Sequence, residues 1–150
     1  IEKLDYVLNY SDYDKMHAMN FVDGLMESDP YGNYIQSLAT DTTHNSDFTV
    51  WTFKLRPGVN WVTNTGAIYG EVTAQDFVTG LQHAVEFQST MLFIIDSSIV
   101  NLVDYENGTI SDFSQVGIKA IDKYTVQYTL SRSVPWFDSL SSEPTLFACQ

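Results

Sequence analysis

Cysteine occurs once in the 150 residues, at Cys149. A single thiol forms no internal disulfide and supplies no multi-thiolate zinc site. Basic residues are scarce as well: 7 Lys and Arg stand against 19 Asp and Glu, a formal net charge of -12. Such a chain repels phosphate backbones, so nucleic acid is a poor partner, and anionic membrane surfaces are disfavoured for the same reason. No run approaches the ~20 apolar residues of a membrane-spanning helix. The longest, Met91 to Ile95, has the length of a core segment. The N-terminus lacks a basic stretch followed by an apolar one, so the expectation is that a secretory leader has been removed or that the sequence starts inside the mature protein.

Catalytic and metal-binding patterns are missing too. His17, His44 and His83 follow no metal spacing and read as surface or helix-face histidines. There is no G-x-S-x-G elbow and no phosphate-cradling glycine loop; Gly24, Gly32 and Gly58 stand alone. Asp23, Glu27 and Asp29 lie close together, but the position that would close a calcium loop starting at Asp29 is Thr40, not an acid. No pair of carboxylates is singled out for hydrolysis. Asn9-Tyr10-Ser11 and Asn107-Gly108-Thr109 match the glycosylation acceptor pattern and read as turn chemistry. No enzyme, cofactor or metal is called for.

What is present is a core. Hydrophobic residues make up 44% and aromatic residues 14%, the composition of a packed domain. Leu4 to Leu8 predicts a short strand, Met16 to Met26 a helix with a stripe of Met19, Val22 and Met26, and residues 28 to 33 a turn cluster. Ile35, Leu38 and Ala39 predict a helical turn or a bridge. Val50 to Leu55 alternates as a half-buried strand with Trp51, Phe53 and Leu55 inward, and Pro57-Gly58 turns it. Thr63 to Glu71 reads as a polar loop. Thr73 is the N-cap of a helix bearing Phe77, Leu81, Ala84 and Val85, with Asp76 at its third position and Val72 and Phe77 placed as a hydrophobic staple. A second helix is predicted over Leu92 to Glu106, with Leu92, Ile95, Ile99, Leu102 and Val103 on one side, stopped at Asn107-Gly108. Val116 to Leu130 predicts a hairpin turning at Asp122-Lys123, and Trp136 to Leu140 a helical turn after Pro135. The sum is an α+β domain, a mainly antiparallel sheet with helices on one face. Tyr10, Tyr13 and Tyr31 fall in polar loops and are the aromatics placed for exposed contacts.

Val50 to Trp61 (VWTFKLRPGVNW) followed by Val72 to Val78 (VTAQDFV) resembles the signature of the extracellular solute-binding proteins of peptide and nickel ABC importers. Asn20 to Met26, Val116 to Asp122 with Thr125 to Leu130, and Pro135-Trp136-Phe137 resemble further family motifs in the same order, so the likeness covers nearly the whole chain. It is closest to the oligopeptide-binding lipoproteins of Gram-positive bacteria. Two departures stand out: Thr42-Thr43 where the family often has Trp, and Ala148-Cys149 where a proline usually follows Leu-Phe.

The resemblance implies a periplasmic-binding-protein-like type II fold, of which this chain is a piece. Residues 1–20 correspond to an edge segment of the first lobe and residues 21–150 to the extra, inserted lobe. It implies capture of extracellular oligopeptides and delivery to the membrane permease of an ABC importer, by a monomer held at the cell surface as a lipoprotein. Leu4-Asp5-Tyr6 matches the family's "LDP" element, which places Tyr10 and Asp12 near the peptide backbone. An aromatic contact after the "DFV" helix falls on Phe93, with Thr90 and Met91 as rivals and core packing as the alternative role of Phe93. Other ligands of the family, such as nickel, a sugar fragment or a signalling peptide, remain open, as does an isolated hydrolase domain.

Overall fold

In a computed structural model of the chain, residues 5–8 and 11–149 are described. The chain runs through α1 (Asp12–Ala18), β1 (Met26–Ser28), β2 (Tyr34–Gln36), β3 (Ala39–His44), β4 (Val50–Leu55), β5 (Asn60–Val62), β6 (Ile68–Glu71) and α2 (Ala74–Glu86). It continues through α3 (Leu102–Glu106), β7 (Ile118–Asp122), β8 (Thr125–Thr129) and α4 (Phe137–Leu140). Short 3-10 turns lie at Leu92–Ile94, Phe113–Gln115 and Pro144–Leu146. The central sheet has the order β3-β4-β8-β7, every pairing in it is antiparallel, and β1-β2 and β5-β6 are separate hairpins. This is the α+β class expected of a part of a type II binding-protein fold.

Alternation along the strands decides which face of the sheet is dry. In β4, Trp51, Phe53 and Leu55 are buried while Lys54 is exposed. The register aligns Trp51 with Tyr128 and Phe53 with Val126, so β8 presents its own apolar residues to the same side. Phe53 meets Tyr128 edge-on at 5.9 Å, and Tyr128 meets Phe137 of α4 at 5.1 Å. The α2 residues Phe77, Leu81, Ala84 and Val85 complete this core. Gly80 lets the C-terminal segment pass tightly against α2: a Cβ there would collide with the carbonyl oxygen of Phe147.

The start of α2 is a junction. The Asp76 carboxylate accepts the Thr73 N–H at 2.9 Å, the reciprocal half of a capping box. The same oxygen accepts the indole N–H of Trp61 at 3.0 Å, which ties β5 to the helix. The Asp76 carbonyl accepts the Cys149 N–H at 2.9 Å, and the Ala74 N–H donates to the Lys123 carbonyl at 2.9 Å. A second junction gathers on Glu71, whose carboxylate accepts from Lys123 Nζ at 2.6 Å, the Tyr124 hydroxyl at 2.7 Å and the Gly58 N–H at 2.9 Å. Together they lock the β5-β6 hairpin between α2 and the β7-β8 turn.

Several expectations are corrected. Residues 6–8 form a turn rather than a strand. The helix expected over Met16 to Met26 is instead α1, ending at Ala18, because Gly24 and Leu25 give their carbonyls to Leu38 and Ala39 and so belong to sheet-like pairing. Ile35 lies in β2, and the polar loop from Thr63 to Glu71 contains β6. The helix expected over Leu92 to Glu106 is broken. Ile99 bridges to Leu130, Val100 exchanges backbone hydrogen bonds with Thr129 and Gly117, and Asn101 sits at φ 59°. Val103, expected on its apolar side, is exposed.

Two stability predictions follow from this packing. The Tyr128 hydroxyl is fully buried without a hydrogen-bond partner among the described residues, and burial pushes its pKa upward. Tyr128→Phe is therefore expected to leave unfolding stability unchanged or raise it by up to about 1 kcal/mol in urea titrations. Lys123, then Tyr124 and the Gly58 N–H, lower the Glu71 pKa from 4.5 to about 2. A depressed carboxylate pKa contributes stability that is present above the unfolded value and lost as pH falls through the folded one. The melting-temperature gap between the native chain and Glu71→Gln is thus expected to stay constant near neutral pH and to close between pH 4.5 and about 2.

Candidate functional site

The N-terminal segment is fastened to the body by its own side chains. The Asp5 carboxylate meets His83 Nε2 of α2 at 2.7 Å, and the Tyr6 hydroxyl donates to the Ala148 carbonyl at 2.6 Å. Burial, with Cys149 beside it, raises the pKa of the Tyr6 phenol and keeps it a donor. Further along, Lys15 of α1 pairs with Glu143 at 2.7 Å. His83, read as a helix-face histidine, is thus part of a tether.

The chain leaves α2 through a tight connection that grips the same segment. Gln88 adopts φ 55°, and Ser89 and Thr90 then face the backbone of Val7 and Leu8. Ser89 Oγ donates to the Val7 carbonyl at 2.7 Å, and the Thr90 N–H reaches the Leu8 carbonyl at 3.4 Å. Val7 and Leu8 are thus neighbours in space of Ser89 and Thr90, although 82 positions apart in sequence.

The predicted site residues fare differently. Tyr10 lies outside the described residues. Asp12 opens α1, with Ser11 at the N-cap position; its side chain also lies outside what is described. Phe93 sits in the Leu92–Ile94 turn, 63% exposed, between the buried Leu92 and Ile95. Core packing is therefore not its role, and its neighbour Met91, 7% exposed, takes the inward position. Thr90 is exposed and engages Leu8. Sequence reasoning missed Ser89 and its bond to Val7. The only signal was a polar Ser-Thr pair directly after a helix, which also fits an ordinary loop.

Beside the tethered segment lies a mostly apolar groove of about 520 Å³, lined by Tyr6, Trp61, Val62, Tyr69, His83 and Cys149 among others. A larger, more polar groove of about 680 Å³ runs between α2 and β7 past Gln75, Gln82, Asp112 and Lys119. Among the described residues, no group of three His, Cys, Asp or Glu side chains is placed to hold a metal ion. Asp29, where a calcium loop would start, instead accepts the Tyr31 and Asn33 N–H groups and the Asn33 amide in the β1-β2 turn. Those bonds, the Asn33 amide first, lower its pKa. Among the described residues, no helix is long and apolar enough to cross a membrane.

Comparison with known proteins agrees with this architecture. The family model described as "Bacterial extracellular solute-binding proteins, family 5 Middle" matches residues 33–148. The oligopeptide-binding protein AliB of Streptococcus pneumoniae serotype 4 is 48% identical over 128 residues, covering 85% of this chain and 20% of AliB. The oligopeptide-binding protein AmiA of the same organism is 42% identical over 138 residues, covering 92% of this chain and 21% of AmiA. The structure of Listeria monocytogenes OppA bound to peptide superposes with a TM-score of 0.88 at 29% identity, covering 100% of this chain and 29% of OppA. The chain spans about one fifth of the length of these curated relatives. On the match over residues 33–148, the chain belongs to the family 5 bacterial extracellular solute-binding proteins.

Proposed function

We propose that the chain is the extra lobe, with a preceding edge of the first lobe, of a receptor that captures extracellular oligopeptides for an ABC importer. Residues 1–20 form the edge segment and residues 21–150 the extra lobe, and the receptor is a monomer tethered at the cell surface as a lipoprotein that hands peptide to a membrane permease. The observation that carries the reading is likeness to proteins named oligopeptide-binding over 85–92% of this chain.

The chemistry required is binding rather than catalysis. An extended peptide presents N–H and C=O groups that must find partners when buried, and backbone pairing satisfies them without sequence preference. Water-filled side-chain pockets then tolerate variety. In this reading Tyr10 and Asp12 meet the peptide backbone or its ammonium group, and Phe93 supplies an aromatic contact from the adjoining turn. The exposure of Phe93 and the close approach of its connection to Val7 and Leu8 support that grouping.

One wall of a cleft binds weakly, because a ligand between lobes is desolvated only when both are present. Calorimetry with a pool of short peptides is expected to give no measurable binding to this chain alone and micromolar or tighter binding to a receptor of the relatives' length that contains it. Micromolar binding by the chain alone contradicts the lobe assignment. Binding of nickel in place of peptide by the longer receptor overturns the choice of ligand.

A further inference from the structure

We infer that Ser89 is a positioning residue for the peptide site, tying the segment that leads to Tyr10 and Asp12 to the turn that carries Phe93. The inference rests on the peptide-receptor reading above and adds a residue that touches no ligand.

Ser89 follows α2 by three positions and is 5% exposed. Its N–H returns to the Ala84 carbonyl at 2.8 Å, so its backbone is anchored on the helix. Its hydroxyl does two jobs: it donates to the Val7 carbonyl at 2.7 Å and accepts the Met91 N–H at 3.3 Å. Its carbonyl accepts the Leu92 N–H at 3.3 Å, and the Met91 carbonyl accepts the Ile94 N–H at 3.1 Å. The turn that presents Phe93 is therefore built directly on Ser89 and Met91.

On the other side, Val7 is 1% exposed, so solvent has little access to replace a lost partner. Thr90 adds its own N–H and hydroxyl to the Leu8 carbonyl, both at 3.4 Å, beyond the usual hydrogen-bond range. Among the described residues, the short contact between these segments is the Ser89 hydroxyl on the Val7 carbonyl. Gln88, at φ 55°, occupies the left-handed region that few side chains adopt, and this aims residues 89–91 at Val7 and Leu8 instead of continuing α2. A non-glycine residue held there points to a connection whose path is set by the contacts that follow it.

Removing the hydroxyl leaves the Val7 carbonyl and the Met91 N–H buried without this partner. Both segments then lose a common reference point, and a ligand that must meet both has to order them on binding.

The test uses a receptor of the relatives' length carrying this chain, with a fluorescent pool of short peptides of mixed sequence as the probe. Ser89→Ala is expected to weaken binding about fivefold to tenfold, mostly through faster dissociation. Phe93→Ala is expected to weaken binding in the native background and to cost less in the Ser89→Ala background, because the ring is already loosely held. Ser89→Cys, nearly the same size but a weaker donor, is expected to fall between, and it carries the test if Ser89→Ala does not fold. Val126→Ala, a core truncation in β8, supplies a variant of lowered melting temperature and is expected to leave affinity unchanged.

If Phe93→Ala weakens binding while Ser89→Ala does not, or if their effects multiply independently, the Ser89 inference is overturned and the peptide site stands. If Val126→Ala weakens binding as much as Ser89→Ala at equal loss of melting temperature, Ser89 acts only through stability and the inference also fails. If the native receptor does not bind the pool, the peptide reading itself falls, and the Ser89 role with it.

Discussion

Asp76 is the residue on which the described structure converges. Its carboxylate caps α2 through Thr73 and holds the Trp61 indole, and its backbone carbonyl receives Cys149. One residue, 8% exposed, thus joins a helix terminus and a hairpin through its side chain and the returning C-terminal segment through its backbone. A buried carboxylate is costly unless its oxygens are bonded, and two N–H donors on one oxygen meet part of that demand. The family signature, Val50 to Trp61 with Val72 to Val78, contains both ends of this junction. In this chain it reads as a structural clamp, and the candidate peptide contacts lie elsewhere.

Much of the fold was legible where local chemistry and tertiary packing agree. β4 was legible because Trp51, Phe53 and Leu55 alternate, and the β7-β8 hairpin because Asp122-Lys123 separates two alternating runs. The α2 start was legible from Thr73, although the reach of Asp76 to Trp61 was not. The failures share a cause. Leu92, Ile95, Ile99 and Leu102 are all buried, as helical spacing implied, yet the segment is broken because backbone pairing of Ile99 and Val100 with the β8 end overrides local propensity. Met19 shows the converse: of the stripe expected with Val22 and Met26, it stands exposed while Met26 is buried. The β5-β6 hairpin was hidden because Thr63 to Gly66 make a polar turn and β6 exposes Ile68 and Tyr69.

The candidate site was legible only through family likeness. Residue types alone marked Tyr10, Tyr13 and Tyr31 for exposed contacts but assigned none a ligand, because the binding wall proposed above would use backbone groups and scattered aromatics rather than a catalytic set. What the structure adds is proximity: the connection after α2, which leads into the turn carrying Phe93, meets Val7 and Leu8 through Ser89 and Thr90. Sequence spacing carries no trace of that contact, since Val7 and Ser89 are 82 positions apart.

The signature region holds the described fold together through Asp76. Urea unfolding of Asp76→Ala tests it most directly. The account predicts a loss of about 2–4 kcal/mol, the sum of a lost helix cap and a buried indole N–H left without its partner. A stability within about 0.5 kcal/mol of the native chain, the range of an ordinary surface substitution, contradicts it.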